Sequence, residues 1–281
     1  MTTTAYSLGH TERELDRLIS QASFFGDLTE HALGLAGLEP GMRVLDVGCG
    51  PGDVSFLAAR LVGPAGVVIG VDRAEPAIAA ARARADATGL NNVHFFVAGA
   101  AEVRLDTPVD AVIGRLILMH LPDPAAALAH LRTLLVPGGL LVFQEMDLAG
   151  AISDPPCPLY DSTLDRVRET LRRVGADPRT GLKLPRIFAA AGLPTPRLIL
   201  GARVETGPDT QAYAQVVGIV RTLLPLMEQT GVATAADVDV DTLADRLRAE
   251  VTAAGGTIVS PHYIGAWTRL PATSGGTPAS A

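Results

Sequence analysis

The spacing of apolar residues changes near residue 42 from a helical to a strand-like pattern. Between residues 11 and 36, apolar side chains recur at helical spacing, so one or two helices are expected there. After that, helix-like stretches such as 53–62 and 75–88 separate short apolar runs, which read MRVLDV, GVVIGVD, VHFFVAG, DAVIGRLI and LLVFQEMD. The runs are continuously apolar, so both faces of their sheet are expected to be covered, which favours parallel strands.

Alternating strands and helices predict an α/β fold with a doubly wound, mostly parallel sheet, because crossovers between parallel strands are right-handed. In such sheets, ligands bind outside the carboxyl ends of the strands. This rule directs the search for a site to residues 46–52, 72, 99–102, 114–120 and 145–147.

The pattern becomes more helical after residue 150, and two further strand candidates lie at 196–206 and 256–270. These features predict four regions. They are an N-terminal helical lid (1–40), a ligand-binding core (41–150), a C-terminal part with the last core strands and helical insertions (151–270), and a disordered tail (271–281).

Composition narrows the class of partner. The net charge is −7 and the 23 Lys and Arg residues are scattered, which argues against a nucleic-acid partner. Two cysteines, Cys49 and Cys157, make neither a disulfide framework nor a four-ligand zinc site, and they suit a reducing compartment. No uncharged apolar segment reaches about 18 residues, so we expect a cytoplasmic protein without a membrane span.

The sequence VLDVGCGPG places Asp46, Gly48, Gly50 and Gly52 at the end of the first strand. Missing Cβ atoms permit positive φ and let a ligand lie against backbone amides that face it beside a helix N-terminus. In the next strand, VVIGVD ends in Asp72, whose carboxylate can accept both hydroxyls of a ribose. The pattern indicates a nucleoside and leaves a nicotinamide dinucleotide, a flavin or S-adenosylmethionine as candidates.

Two details favour S-adenosylmethionine. The carboxylate of Asp46 would repel a pyrophosphate, but it suits the ammonium and sulfonium of a methionine moiety. A short-chain dehydrogenase would carry a Tyr-x-x-x-Lys pair, yet Arg179 stands four residues before Lys183, the single lysine.

The chain resembles the class I S-adenosylmethionine-dependent methyltransferases, in their small-molecule, natural-product branch. VLDVGCGPG is similar to their first motif, VIGVD to their second, and LRTLLVPGGLLVF to the turn into their fifth strand, over about residues 40–147. The resemblance implies a Rossmann-like, seven-stranded sheet with an antiparallel last strand at 256–269. It also implies methyl transfer that leaves S-adenosylhomocysteine as product.

The resemblance also assigns cofactor contacts. Gly48 and Gly50 would contact the methionine part, Asp72 the ribose, and Arg73 would flank the adenine. Many members have Gly-Asp-Ala after the third strand, where this chain has Gly99-Ala100-Ala101-Glu102. The adenine contact then falls to a backbone amide or to Glu102. The remaining predicted cofactor contacts are Tyr6 (in the lid), Asp46, Ala100, Ala101 and Arg115.

Methyl transfer is an in-line displacement, so the protein mainly aligns the acceptor and excludes water. A base is needed only when the nucleophile holds an acidic proton, and His120 and Glu145 are the catalytic candidates. Their alternatives are packing at a helix start for His120, and capping a loop or holding Arg115 for Glu145. The fourth strand ends in Gly114-Arg115. Enzymes that methylate amino groups of nucleic-acid bases or of glutamine have Asn/Asp-Pro-Pro-Tyr/Phe there, so these acceptors are disfavoured. No metal is expected.

Aromatic and polar residues outside the core are candidates for binding the acceptor, which we expect to be a small, aromatic or polyketide-like metabolite. The candidates are Phe24, Phe25, Tyr160, Tyr213, His262 and Trp267. Core packing is the alternative for each of them. A homodimer interface is an alternative role for residues 208–254, which their apolar content permits but does not require. Two other functions stay open: a non-methylating reaction such as cyclisation, and cofactor binding without catalysis.

Overall fold

The structure of the chain is a computed structural model that describes residues 12–272. Its strands are β1 (Arg43–Val47), β2 (Val67–Asp72), β3 (Val93–Val97), β4 (Val109–Arg115), β5 (Leu135–Asp147), β6 (Ile152–Asp154), β7 (Arg197–Gly201), β8 (Val204–Thr206), β9 (Thr257–Val259) and β10 (His262–Arg269). Its helices are α1 (Glu12–Ala36), α2 (Asp53–Val62), α3 (Glu75–Thr88), α4 (Pro124–Leu131), α5 (Pro158–Arg173), α6 (Thr180–Ala190), α7 (Ala212–Gln229), α8 (Ala235–Val238) and α9 (Leu243–Ala253). Tyr6 and most of the predicted tail lie outside the described residues.

Seven strands form one sheet in the order β3-β2-β1-β4-β5-β10-β7. Strands β1 to β5 run parallel to one another, whereas β10 is antiparallel to both β5 and β7. The predicted doubly wound, mostly parallel seven-stranded sheet with an antiparallel last strand is therefore confirmed. The carboxyl ends of β1 to β5 share one edge of the sheet, where the ligand is expected.

Each of the two predicted C-terminal strands is in fact two strands in different sheets. The stretch 196–206 divides into β7 and β8, and 256–270 divides into β9 and β10, so that β6, β9 and β8 form a small second sheet. Pro261, which has no amide to donate, interrupts the second stretch. Two hydrogen bonds join the break points of the two stretches. The Ser260 amide donates to the Arg203 carbonyl at 2.9 Å, and the Arg203 amide donates to Ser260 Oγ at 2.9 Å.

Helices cover both faces of the large sheet. On one face α1, α2 and α3 pack around residues such as Val44 and Ile113, and on the other α4 and α6 pack around Leu45 and Val112. A third apolar core joins α5, α7 and α9. Within the described residues, every helix is too short or too polar to span a membrane.

Candidate functional site

The turn between β1 and α2 consists largely of glycines in the left-handed region. The φ values are +68° for Gly48, +53° for Gly50 and +91° for Gly52. Residues with a Cβ rarely adopt such values, so this backbone path requires glycine. The turn thereby presents bare backbone at the carboxyl edge of the sheet.

The amides of this turn are bonded within the protein, contrary to the expectation that they face a ligand. Those of Gly48 and Cys49 donate to the Val71 carbonyl at 2.8 and 3.0 Å. That of Gly50 donates to Asp72 Oδ2 at 3.0 Å, and that of Gly52 to the Cys49 carbonyl at 2.9 Å. The glycines therefore allow close approach, but their amides are not aimed at an anion.

Gly48 also makes room for a neighbouring side chain, which leads to a prediction. A Cβ built on Gly48 would lie 2.6 Å from Cδ1 and 2.7 Å from Cγ1 of Ile117. We expect Gly48→Ala to lower the free energy of unfolding by about 2–4 kcal/mol, through overpacking and the left-handed φ. The double variant Gly48→Ala/Ile117→Ala should lose less free energy of unfolding than the two single variants together, as measured by urea denaturation. Additive losses would show that Ile117 is not the group that Gly48 accommodates.

Asp72 ends β2 beside the glycine turn. Its carboxylate is half-buried and accepts the Gly50 amide on Oδ2 and the Ala74 amide, at 2.9 Å, on Oδ1. Each carboxylate oxygen has a second lone pair, so Asp72 can still accept ribose hydroxyls. Arg73 follows it and is exposed.

The loop after β3 carries the predicted adenine contacts. Ala100 is buried, whereas Ala101 and Glu102 are exposed. A Cβ on Gly99 would collide with the carboxylate of Glu102, so Glu102 folds back over that glycine. This loop joins the same edge through the Ala98 amide, which donates to the Asp72 carbonyl at 3.0 Å.

Asp46 is a buried carboxyl at the end of β1. It is 1% exposed and accepts from Ser55 Oγ at 2.6 Å. Burial raises the pKa of Asp46 to about 7, although the Ser55 hydrogen bond and the nearby charge of Arg115 act in the opposite direction. Because a buried carboxylate is costly without a cation beside it, this group is suited to a cationic ligand.

Glu145 holds the turn that follows β4. The residue is completely buried, and its Oε1 accepts the amides of Ile117 and Leu118 at 2.9 and 2.7 Å, whereas Oε2 has no hydrogen-bond partner. Burial raises the pKa of Glu145 to about 8. The turn includes Leu116 at φ +55°, a strained value for a branched residue. Glu145 thus caps a loop in this structure, and its catalytic role stays a prediction.

His120 ends a 3₁₀ turn over Leu118–His120, just beyond β4. Its amide donates to the Ile117 carbonyl at 3.0 Å, and the residue is half-buried. The structure thus places His120 at the carboxyl edge, directly after the segment that Glu145 holds. Its role as a base stays a prediction.

Arg115 lies at the end of β4 in a polar cluster that sequence reasoning missed. Its Nη1 donates to Thr29 Oγ1 at 3.2 Å, and Thr29 Oγ1 donates to Gln144 Oε1 at 2.8 Å. Thr29 stands between Phe25 and Leu33 on the buried stripe of α1. A polar residue at helical spacing between apolar ones was the signal that could have revealed it.

Five of the six acceptor candidates are packed in the protein interior. Phe24 and Phe25 meet edge to face, and Phe25 stacks on Tyr263 with ring centroids 4.1 Å apart. Tyr160 and Tyr213 donate their hydroxyl protons to the carbonyls of Val259 and Gly207, at 3.0 and 2.8 Å; Trp267 pairs with Val142 in the middle of β5. All five are buried, so packing describes them here and their acceptor roles stay predictions.

His262 is the acceptor candidate nearest the carboxyl edge. It is half-buried and pairs with Asp147, the last residue of β5. Its ring fills the space beside Gly150, where a Cβ would collide with it. His120 therefore follows the end of β4, and His262 faces the end of the neighbouring strand β5.

Comparisons with known proteins agree with this geometry. A family model described as a methyltransferase domain matches residues 38–192. Nocamycin O-methyltransferase of Saccharothrix syringae is 35% identical over 146 residues, which are 52% of this chain and 50% of that protein. The chain spans about half the length of the curated relatives it matches.

Solved structures of similar fold include enzymes with different reactions. Phosphoethanolamine N-methyltransferase 2 of Haemonchus contortus, in complex with S-adenosylhomocysteine, has a TM-score of 0.56 and 18% identity, over 96% of this chain and 61% of that one. The cyclase SpnF has a TM-score of 0.52 and 20% identity, over 88% of this chain and 80% of that one. At these identities the likeness shows the fold alone.

Proposed function

Since the chain belongs to the class I S-adenosylmethionine-dependent methyltransferase family, we propose that it transfers a methyl group from S-adenosylmethionine to a small organic acceptor. The predicted family resemblance is confirmed by the match over residues 38–192, which include the glycine turn and the ends of β1 to β5. The reaction and the acceptor are our proposals.

The internal bonding of the turn amides carries the cofactor proposal. A pyrophosphate would need free amides in the glycine turn, but the amides of Gly48, Cys49 and Gly50 are already bonded within the chain. Two carboxylates, Asp46 and Asp72, stand at the adjacent strand ends instead. This arrangement supports a nucleoside with a cationic side chain over a dinucleotide.

Each part of S-adenosylmethionine has a complementary group at this edge. We assign the ammonium to Asp46, the methionine carboxylate to Arg115 and the ribose to Asp72. Gly48 and Gly50 would lie against the methionine part. The adenine is assigned to the segment that contains Ala100, Ala101 and Glu102, with Arg73 beside it. Tyr6 keeps its predicted lid role outside the described residues.

When bound, S-adenosylmethionine supplies a methyl group on an electrophilic sulfonium. The chain then has to align the acceptor, exclude water and, for a hydroxyl nucleophile, accept a proton. His120 is our candidate for that base, because neutral imidazole accepts protons near neutral pH. Glu145 is completely buried here and caps the turn, so we assign it a structural role and keep catalysis as its alternative.

The acceptor is proposed to be a small metabolite of the aromatic or polyketide type. The similarity to nocamycin O-methyltransferase supports this class, although only half of that relative is matched. His262 is the best placed of the acceptor candidates, because it faces the end of β5. A cytoplasmic location, a homodimer, the absence of a nucleic-acid partner and the absence of a metal stay predictions of the sequence.

Asp72→Ala should weaken S-adenosylhomocysteine binding about 10- to 100-fold, because a hydrogen bond to a charged group contributes about 1.5–3 kcal/mol. Isothermal titration calorimetry measures this directly. Asp86→Ala is the matched control, since it removes an exposed carboxylate from α3. Equal affinities for wild type and Asp72→Ala would remove Asp72 from the ribose site.

Product analysis separates methyl transfer from its alternatives. The purified protein, incubated with S-adenosylmethionine and an extract of small aromatic metabolites, should form S-adenosylhomocysteine and a product heavier by one methylene unit. The fold shared with the cyclase SpnF makes a non-methylating reaction the second candidate. A converted substrate without S-adenosylhomocysteine would favour that candidate, and cofactor binding without any conversion would favour a non-catalytic protein.

A further inference from the structure

Three polar side chains occupy neighbouring strand ends on the sheet face that α1 and α2 cover. Arg115 on β4 pairs in register with Gln144 on β5. On the other side, Asp46 on β1 pairs with Ile113, two residues before Arg115 and therefore on the same face. Asp46 and Gln144 are buried. The three groups thus form a polar row under the proposed cofactor site.

Thr29 on α1 ties this row to the helix above it. Its side chain is buried, and its hydroxyl lies 2.8 Å from Gln144 Oε1 and 3.3 Å from the Phe25 carbonyl. A hydroxyl has one proton, and Gln144 is the nearer acceptor. A lone pair of the same oxygen therefore accepts from Arg115 Nη1, at 3.2 Å.

Arg115 is thereby held between two attractions. Asp46 draws the guanidinium as a nearby negative charge, whereas the hydrogen-bond donor to Asp46 is Ser55. The guanidinium donates instead to Thr29 Oγ1 on α1. An arginine side chain has many rotamers, so a fixed partner determines where its planar donor fork points.

We propose that Thr29 is a positioning residue, which holds the Arg115 guanidinium for the carboxylate of the cofactor's amino-acid end. This inference rests on the proposed function. The amino-acid end is a zwitterion, and a row that offers the Asp46 carboxylate and the Arg115 guanidinium matches both of its charges. Arginine binds carboxylates through paired hydrogen bonds, which require a fixed orientation.

Two ligands that differ only in the amino-acid end test the inference by calorimetry. S-adenosylhomocysteine carries that end, and 5′-methylthioadenosine lacks it. Thr29→Val keeps the size of the side chain and removes the hydroxyl, so it should weaken S-adenosylhomocysteine about tenfold and leave 5′-methylthioadenosine within about twofold. Thr29→Ser restores the hydroxyl and should return the first affinity to within about threefold of wild type.

Arg115→Met provides a second, independent variant, because Arg115 is only half-buried and the substitution should not disturb folding. It should show the same selective loss, and Thr29→Val/Arg115→Met should bind no more weakly than Arg115→Met alone. Equal weakening of both ligands by either variant, additive losses, or no recovery in Thr29→Ser would overturn the inference. Failure of the wild type to bind S-adenosylhomocysteine would instead overturn the proposed function.

Discussion

Asp46→Asn is expected to weaken S-adenosylhomocysteine binding about 100-fold and at the same time to stabilise the fold at pH 8. The carboxylate is the proposed partner of the ligand's ammonium, and an amide cannot replace its charge. In the folded protein, burial raises the pKa of Asp46 from 3.8 to about 7. The unfolded chain loses this proton more readily, so wild-type stability falls as pH rises from about 4 to about 7.

The size of the stability effect follows from the same shift in pKa. At pH 8 the buried carboxylate costs up to about 4 kcal/mol, of which the asparagine variant should recover about 2 kcal/mol, since its amide also loses solvent. Urea denaturation at pH 6 and pH 8 measures the gain, and Asp86→Asn, an exposed change on α3, is the control. Unchanged affinity would show that Asp46 does not meet the ligand. A lower stability of Asp46→Asn at pH 8 would show that burial of the carboxylate does not destabilise the wild type.

Glu145→Gln is expected to remove a pH dependence of stability of about 2–3 kcal/mol between pH 6 and 8. Burial raises the pKa of Glu145 from 4.5 to about 8 in the folded protein. The folded state therefore holds this proton while the unfolded state releases it, and stability declines as pH rises through this range. Glutamine keeps an acceptor for the amides of Ile117 and Leu118 but does not ionise.

The readouts of Glu145→Gln also separate a structural from a catalytic role. If Glu145 holds the turn, the variant should have a flatter stability profile against pH, with cofactor affinity within about threefold of wild type. Glu39→Gln is the control, since Glu39 is exposed before β1. A profile as steep as that of wild type would contradict the buried, proton-holding carboxyl. A turnover rate reduced about 1,000-fold, with the turn intact, would restore Glu145 as the base.

The sheet and the glycine turn could be predicted because short-range pattern determines both. Continuously apolar runs such as those of β1 and β2 need cover on both faces, and in the structure the residues of both strands are largely buried. Gly48, Gly50 and Gly52 do adopt positive φ. By contrast, the split of 196–206 into two strands depends on the pairing of Arg203 with Ser260, which are distant in sequence.

The finer chemistry of the site was less predictable because it depends on which groups meet in space. The expectation of ligand-facing amides was wrong, since the Val71 carbonyl and Asp72 accept them. No local pattern distinguishes Glu145, which holds a turn, from a strand-end carboxylate that meets a substrate. Thr29 left only a weak signal, because one polar residue on an apolar stripe has many explanations.

Calorimetric titration with S-adenosylhomocysteine and with NADH, on wild type and Gly50→Val, tests whether the glycine turn binds the sulfonium nucleoside rather than a dinucleotide. Gly50 has φ +53°, and its amide donates a hydrogen bond to Asp72 Oδ2. Because valine rarely adopts such a φ, Gly50→Val should disrupt the turn that the nucleoside is proposed to lie against. We expect S-adenosylhomocysteine to bind the wild type with one-to-one stoichiometry, Gly50→Val to abolish this binding, and NADH not to bind. Binding of NADH but not of S-adenosylhomocysteine, or equal binding of S-adenosylhomocysteine to both proteins, would contradict it.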